Sequence, residues 1–531
     1  MELSDFSHSF LSLLAPAVAI LMAVMTRRVL LSLGAGIITG ALLLTGFHPL
    51  EAVQLAAKGF LGVFWDDGIN TGSLFILLFL LLLGIMTSLI SLSGGAAAFG
   101  EWARHKVKSK QSTQLLTVLL GVIIFIDDYF NSLAVGNVCR PLTDRHKVSR
   151  AKLAYLIDST AAPVCVVTPV SSWGAYVIAL VGSIMVAHGV TDQSPIHAFL
   201  TMIPMNLYAV FALAMVIAVA GMNLNVGLMK VHEEKAADGY LYDIEKGNPP
   251  GAAKLVGLEN GRISDLIMPI VVLVFVTLSA LIWTGAENLA DENLPFSVLG
   301  SFENTDVGLS LIWGAMVGLF VTAVHMVNRN ISGSDWYRAI VEGVSSMLSA
   351  IYILVLAWVL IDIISELETG KYLAGLISDS IPASYLPMIL FGVSGLMAFA
   401  TGTSWGTFGI MLPIAGDMAA AADIAMLLPM LSAVLAGAVF GDHCSPISDT
   451  TILSSTGASC HHIDHVITQL PYALVVAFVS LCGYLVMGIT NSVGAGFSVA
   501  LLVFCVMLLV FKKLSGAKVP EMMEDRTLSE S

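Results

Sequence analysis

The stretch GDHCSPISDTT (441–451) packs two aspartates, a histidine, a cysteine, a proline and four hydroxyl side chains into eleven positions. MLLPMLSAVLAGAVF precedes it, and VITQLPYALVVAFVSLCGYLVMGI follows. Polar groups of this kind recur in three other apolar settings: FIDDYFNS (125–132), LIDSTAAPVCVVTPVSSWG (156–174) and ATGTSWG (400–406). Carboxylates and hydroxyls in dry surroundings are oxygen ligands for a hard cation, and ionisable groups at membrane depth are functional candidates. Desolvation favours the protonated carboxyl, whereas a bound cation favours the ionised one. One carboxylate can therefore hold either a proton or Na+, and competition between the two is the simplest physics of an antiporter.

The candidates for cation and proton binding are Asp127, Asp128, Asn131, Asp158, Asp442, His443 and Asp449, with Na+ itself expected at Asp158, Asp442 and Asp449. Further ligands or substrate contacts are Thr168, Ser171, Ser172, Thr401, Thr403, Ser404, Ser445, Ser448 and Thr450. Each has a structural reading as well. The aspartates are good helix caps, and serine or threonine hydroxyls back-bonded to a helix carbonyl let it bend. His443 also reads as a satisfied buried histidine, Cys444 as packing, and Trp173 and Trp405 as packing residues. In CHHIDH (460–465), His461 and His465 would share a helical face with Asp464 beside them, a pattern open to Zn2+. Solvated histidines in a cytoplasmic turn are the plainer reading.

The elements that position these groups follow from the composition. The 531 residues are 57% hydrophobic and 12% charged, where a soluble domain carries about a quarter. Runs such as SLFILLFLLLLGIMTSLI (73–90) approach or reach the ~20 residues that cross a bilayer as a helix, and they lack the alternation of a β-barrel. This predicts an all-α polytopic membrane protein. The net charge of −14 lies mainly in loops and the acidic tail, and the basic patches that nucleic acid requires are missing. Six scattered cysteines do not indicate a disulfide framework, and the N-terminus shows no removable signal peptide.

Basic loops at 27–28, 104–110, 140–152 and 329–338, the linker 222–262 and Lys512–Lys513 mark the cytoplasmic side. Basic-poor loops at 47–72, 189–198, 285–306, 365–385 and 414–425 mark the outside. This places the N-terminus outside and the C-terminus in the cytoplasm. About eleven crossings then fit with 113–139 and 386–413 as re-entrant hairpins, each interrupted by polar or small residues, two ordinary crossings being the alternative for either run. Crossing 153–188 is interrupted by Pro163 and Pro169, and crossing 426–456 by Pro446. Setting APVCVVTPVSSWG (162–174) over SPISDTTILSSTG (445–457) aligns Pro163 with Pro446, Thr168 with Thr451, Ser171–Ser172 with Ser454–Ser455 and Gly174 with Gly457. Together with the mirrored charges this predicts two inverted-topology repeats with broken transmembrane helices, as in secondary transporters.

The expected layout is an N-terminal segment and first crossing (1–28), repeat 1 (29–221) and a cytoplasmic linker (222–262) without a transport role. A connecting crossing and external loop (263–307), repeat 2 (308–490), and a last crossing with an acidic cytoplasmic tail (491–531) complete it.

FIDDYFNSLAVG, LIDSTAAPVCVVTPVSSWG, ATGTSWGTFGIMLP and GDHCSPISDTTILSSTGASC resemble the NhaC family of Na+/H+ antiporters, from about residue 10 to 512. The resemblance implies a bacterial inner-membrane exchanger that is not an enzyme, with a scaffold holding a mobile transport domain in a homodimer. It implies Na+ and H+ as partners in the lipid bilayer, Na+ being the cargo, and no cofactor. The family also includes exchangers of organic acids and proteins linked to amino-acid uptake. Coupling of Na+ or H+ to a small organic anion or amino acid is therefore the alternative.

Overall fold

The computed structural model describes residues 6, 9–26, 29–65, 68–247, 249, 261–291, 294–327, 331–368, 372, 382–446 and 448–516. The acidic tail beyond 516, the linker's second half and the loop around 373–381 lie outside them. The described residues are helical, with one isolated β-bridge between Trp65 and Ile69. Seven helices are long and apolar enough to span a bilayer: Thr71–Leu92, Ile263–Asp291, Gly308–Val327, Ala383–Thr401, Ile424–Cys444, His462–Thr490 and Val493–Gly516. An eighth span forms if Pro195–Met205 and Leu207–Met222, bent by 52° at their junction, count as one. A helix bonds every interior backbone group to itself, which is what hydrocarbon demands of a spanning segment.

The helices around the polar motifs are shorter, and they come in the same order twice. Lys110–Ile123 and Asp128–Arg145 are separated by a four-residue break, and Arg150–Cys165 and Ser172–Ala187 follow, separated by residues 166–171. Later in the chain, Leu386–Thr401 and Ser404–Ala422 flank a two-residue break, and Leu427–Cys444 and Asp449–Ala458 flank residues 445–448. Each half thus contributes one pair at its hairpin candidate and one broken crossing. The second helix of each broken crossing starts on a serine cap: Ser171 accepts from Gly174 N and Ser448 from Thr451 N.

Two details differ from the sequence reading. Pro163 lies inside a helix that continues to Cys165, so the first break falls at Thr168–Pro169 alone. A proline withholds only its own N–H, and tight packing holds the turn around it; all residues from Ala151 to Cys165 are buried. The caps also pair Ser171 with Ser448. Ser454 and Ser455, aligned in sequence with Ser171 and Ser172, instead lie inside the helix Asp449–Ala458. The correspondence between the halves is therefore one of element order, offset from the residue match.

Burial separates centre from periphery. In Ile424–Cys444, 78% of the best spanning window is buried, against 17% in Val493–Gly516. The two halves meet where Asp128–Arg145 crosses Asp449–Ala458. A Cβ placed on Gly136 would sit 2.6 Å from Gly457 Cα, and Ser132 Oγ lies 3.2 Å from Ser454 Oγ. Only glycine permits this approach. Gly136→Val should cost about 1–3 kcal/mol through overpacking and lower the melting midpoint of the detergent-solubilised protein. Gly34→Ala, whose new methyl would have nothing within 4 Å, should leave the midpoint unchanged.

Candidate functional site

The first broken crossing carries Asp158 into the interior, 1% exposed. Its carboxylate is enclosed by groups from the other half of the chain. Thr451 Oγ1 donates to Oδ2 at 3.2 Å and Ser454 Oγ to Oδ1 at 3.2 Å. Gln469 Nε2 donates to Oδ2 at 2.8 Å, and His465 Nε2 lies 3.2 Å from the same oxygen. His443 Nε2 stands 3.8 Å away. A buried carboxylate with so many donors is equipped to stay ionised, since uncompensated burial of that charge costs several kcal/mol.

The histidines are held from behind. Tyr208 Oη is 2.8 Å from His443 Nδ1, and Ser159 Oγ is 3.3 Å from His443 Nε2. Gln469 Nε2 also donates to the His443 carbonyl, tying the helix His462–Thr490 to the end of Leu427–Cys444. His465 Nδ1 has no hydrogen-bond partner among the described residues.

A second group of carboxylates surrounds the two breaks. Asp442 lies at the N-terminus of Ser404–Ala422, where its Oδ2 accepts from Ser404 N at 3.1 Å and Ser404 Oγ at 2.7 Å. Such an end favours negative charge through its free amides and the helix dipole. Ser172, first in Ser172–Ala187, donates to Asp127 Oδ2 at 3.1 Å. The halves thus exchange roles: the carboxylate is on the hairpin break and the serine on the broken crossing in one, and the reverse holds in the other. Trp173 Nε1 donates to Asp128 Oδ1 at 2.8 Å. Asp128 Oδ2 and Asp442 Oδ1, both buried, make no hydrogen bond among the described residues. Asp128 is within electrostatic range of Asp127 and Asp442, and Asp442 within range of Asp158. Tyr129 Oη reaches Asp449 Oδ2 at 3.3 Å, and Asp449, expected to share the Na+ site, is exposed at the start of its helix and stands to one side.

The remaining expected ligands have backbone work. Asn131 Nδ2 donates to the carbonyls of Gly121 (2.7 Å), Ile124 (2.7 Å) and Thr160 (3.3 Å), holding the first break together. Thr168, Thr401 and Ser445 donate to the carbonyls of Val164, Met397 and Phe399. Ser171, Thr403 and Ser448 are N-caps, and Thr450 bonds Ser448. Trp173 and Trp405 do pack, with ring centroids 5.4 Å apart, but Trp173 also bonds a carboxylate.

The histidine cluster is not a zinc site. His461 is the N-cap residue preceding the helix and turns to the Gly247 carbonyl, while His465 is fully buried against Asp158. No three His, Cys, Asp or Glu side chains among the described residues gather as metal ligands. His465 is no solvated loop histidine either. With Gln469 it forms an i, i+4 polar pair in an apolar helix, a spacing readable in the sequence. Thr451 and Ser454 are likewise one turn apart. Nothing in the sequence pointed to Tyr208 or Tyr129.

The Na+/H+ antiporter family profile matches residues 164–489. An uncharacterised protein of Haemophilus influenzae is 48% identical over 514 residues, 97% of either chain. The malate-2H+/Na+-lactate antiporter of Bacillus subtilis is 32% identical over 176 residues, 31% of this chain and 34% of its own. The solved YdaH transporter of Alcanivorax borkumensis superposes with a TM-score of 0.51, covering 85% of this chain and 90% of its own at 14% identity. That likeness concerns the fold. With the profile spanning well over half its length, the chain belongs to the Na+/H+ antiporter family and is a multi-pass membrane protein of the transporter class.

Proposed function

We propose that the chain is a secondary active transporter exchanging Na+ for H+ by alternating access, with the two ions competing for the buried carboxylates. The observation that carries this reading is Asp158, held by Thr451, Ser454, His465 and Gln469 across the junction of the two halves, with Asp442 in electrostatic range. In the ion-free arrangement the hydroxyls of Thr451 and Ser454 donate to the carboxylate. Rotated, the same oxygens present lone pairs to a cation, and Asp442 brings a second charge. Na+ entering between Asp158 and these hydroxyls disfavours a proton on the carboxyl group, and a proton on the carboxyl group weakens the hold on Na+.

Alternating access follows from the layout. The loop charges assign the halves opposite orientations, so rocking one against the other exposes the shared site first to one face and then to the other. The same charges place the C-terminus in the cytoplasm. A second reading keeps the machinery but adds a small organic anion, favoured by the stretch shared with the malate-2H+/Na+-lactate antiporter. The Asp442 end of Ser404–Ala422 is then an amide-rich seat for a carboxylate once Asp442 is protonated.

Purified protein in liposomes enclosing a pH dye separates these. Pulses of Na+ alone should move protons. Proton flux that answers only to dicarboxylates or amino acids would transfer the assignment to the second reading. Asp158→Asn and Asp442→Asn should each cut Na+-driven flux by more than about tenfold, the equivalent of one charge-assisted bond worth ~1.5–3 kcal/mol, while leaving expression intact. Normal flux in both variants would place the site elsewhere. Tyr208→Phe leaves His443 Nδ1 without its hydrogen-bond partner, at about 1–3 kcal/mol, and should appear first as a lowered melting midpoint.

A further inference from the structure

The linker between the halves, expected from its sequence to be a passive connection, is fastened to the transport machinery. Its helix Leu228–Ala237 and the turn Ile244–Lys246 lie across the ends of the elements that carry the site. Glu233, 4% exposed, accepts from Ser149 N at 2.8 Å with one oxygen and pairs with Lys110 Nζ at 2.7 Å with the other. Ser149 caps the helix that bears Asp158, and Lys110 opens the first hairpin candidate. Arg150 N donates to the Leu241 carbonyl at 2.9 Å, Lys147 Nζ to the Ala237 carbonyl at 2.7 Å, and the Arg150 guanidinium lies 5.8 Å from the Tyr242 ring centre. The other half is held too. Lys246 Nζ pairs with Asp464 Oδ1 at 2.8 Å, and His461 Nε2 meets the Gly247 carbonyl at 3.2 Å. Arg150 completes the bridge with bonds to the carbonyls of Ala458 and Ser459, each at 3.2 Å.

These attachments bracket the central contact. Arg150 begins the helix that carries Asp158, and Asp464 immediately precedes His465, Asp158's partner. The linker therefore holds the bases of the two helices in the relation that makes the Asp158–His465 bond. We propose that residues 228–247 form a cytoplasmic latch, with Lys246, Glu233 and Arg150 as positioning residues, whose release separates these helix ends and opens Asp158 to the cytoplasm. This rests on the reading of Asp158, with His465 against it, as the ion-exchange carboxylate.

The latch also contains a titrating group. His232 is part of a cavity of about 270 Å3 that the linker forms with Asp464 and Ile467. Asp464 and Asp243 face it as anions, Lys235 and Lys246 as cations. Burial holds its imidazole below the usual value, followed by an opposing pull from Asp464. The released linker then binds the proton better than the docked one. Docking is favoured above the ordinary imidazole pKa of about 6.5 and weakens as pH falls through it.

Cys460 reports the latch. It is 2% exposed and lies in the field of Arg150, Asp464 and Lys246. The full-length protein in liposomes is exposed to a membrane-impermeant maleimide at pH 8 and pH 6. Modification of Cys460 is followed by mass spectrometry relative to glutathione in the same tube, which removes the thiolate's own pH dependence. In the wild type the relative rate should be low at pH 8 and rise several-fold at pH 6. Lys246→Gln should raise it about tenfold at pH 8, Glu233→Gln should do the same independently, and Lys246→Arg should restore protection. His232→Gln should abolish the acid-induced rise. Equal relative rates in wild type, Lys246→Gln and Glu233→Gln would overturn the latch. Cys460 labelling does not depend on the cargo, so a wild type that moves no protons with Na+ would sink the exchange reading and the role given to Asp158, while the labelling pattern still decides whether the latch releases.

Discussion

A carboxylate buried where water is scarce must be neutralised, paired or surrounded by donors, and the arrangement around Asp158 is the consequence of that requirement. Four side chains from the second half reach its two oxygens, and a second histidine waits within 4 Å. None of these partners is on Asp158's own helix. The charge can be tolerated only when the two halves are docked, so the stability of the ionised site and the closure of the protein around it are the same contact. On the proposed exchange this coupling has a use: changing what occupies the carboxylate would change what holds the halves together.

The breaks are built economically. A helix that stops inside a membrane leaves carbonyls and amides without partners, and the hydroxyl-rich motifs supply them. Ser171, Ser448 and Thr403 cap new helices, while Asn131 gathers three stray carbonyls with one amide. On the proposed function, the side chains left to meet an ion are chiefly Asp127, Asp128, Asp158 and Asp442 with the hydroxyls of Ser172, Ser404, Thr451 and Ser454. Two carboxylate oxygens, one each on Asp128 and Asp442, are left unbonded among the described residues. The linker extends the same logic to the water-facing ends. There, Arg150 joins its charge to backbone carbonyls of the second half, while Glu233 ties the linker to Ser149 and Lys110 of the first and Lys246 ties it to Asp464 of the second.

Much of this architecture is written in the chain itself. The apolar runs dictate helices, because hydrocarbon leaves the backbone no other partner. Pro169 and Pro446 mark the breaks, and the carboxylates stand out because their neighbours are so uniformly apolar. Which hydroxyls bind an ion and which bind backbone was not legible, since serine and threonine have the same chemistry in either role. The local register of the break decides, and at Pro163 a proline that looked like a breaker lies inside a continuous helix. The match of Ser171–Ser172 with Ser454–Ser455 failed for a related reason: capping depends on where a helix begins, and the two helices begin at different points of the shared pattern.

Sequence by itself determined the class of the protein, the approximate places of its breaks and the identity of its central aspartates, because hydropathy and the cost of buried charge act locally along the chain. Only the tertiary structure decided the partners. His465, Gln469, Tyr208 and Thr451 approach Asp158 and His443 from segments hundreds of residues away or from the next helix, and that proximity depends on how helices pack. GDHCSPISDTT is accordingly divided between two neighbouring sites: Asp442 serves the helix end at Ser404, while His443 and Thr451 serve Asp158. A helix followed by a bend points adjacent residues in different directions, and no linear pattern records which direction each one takes.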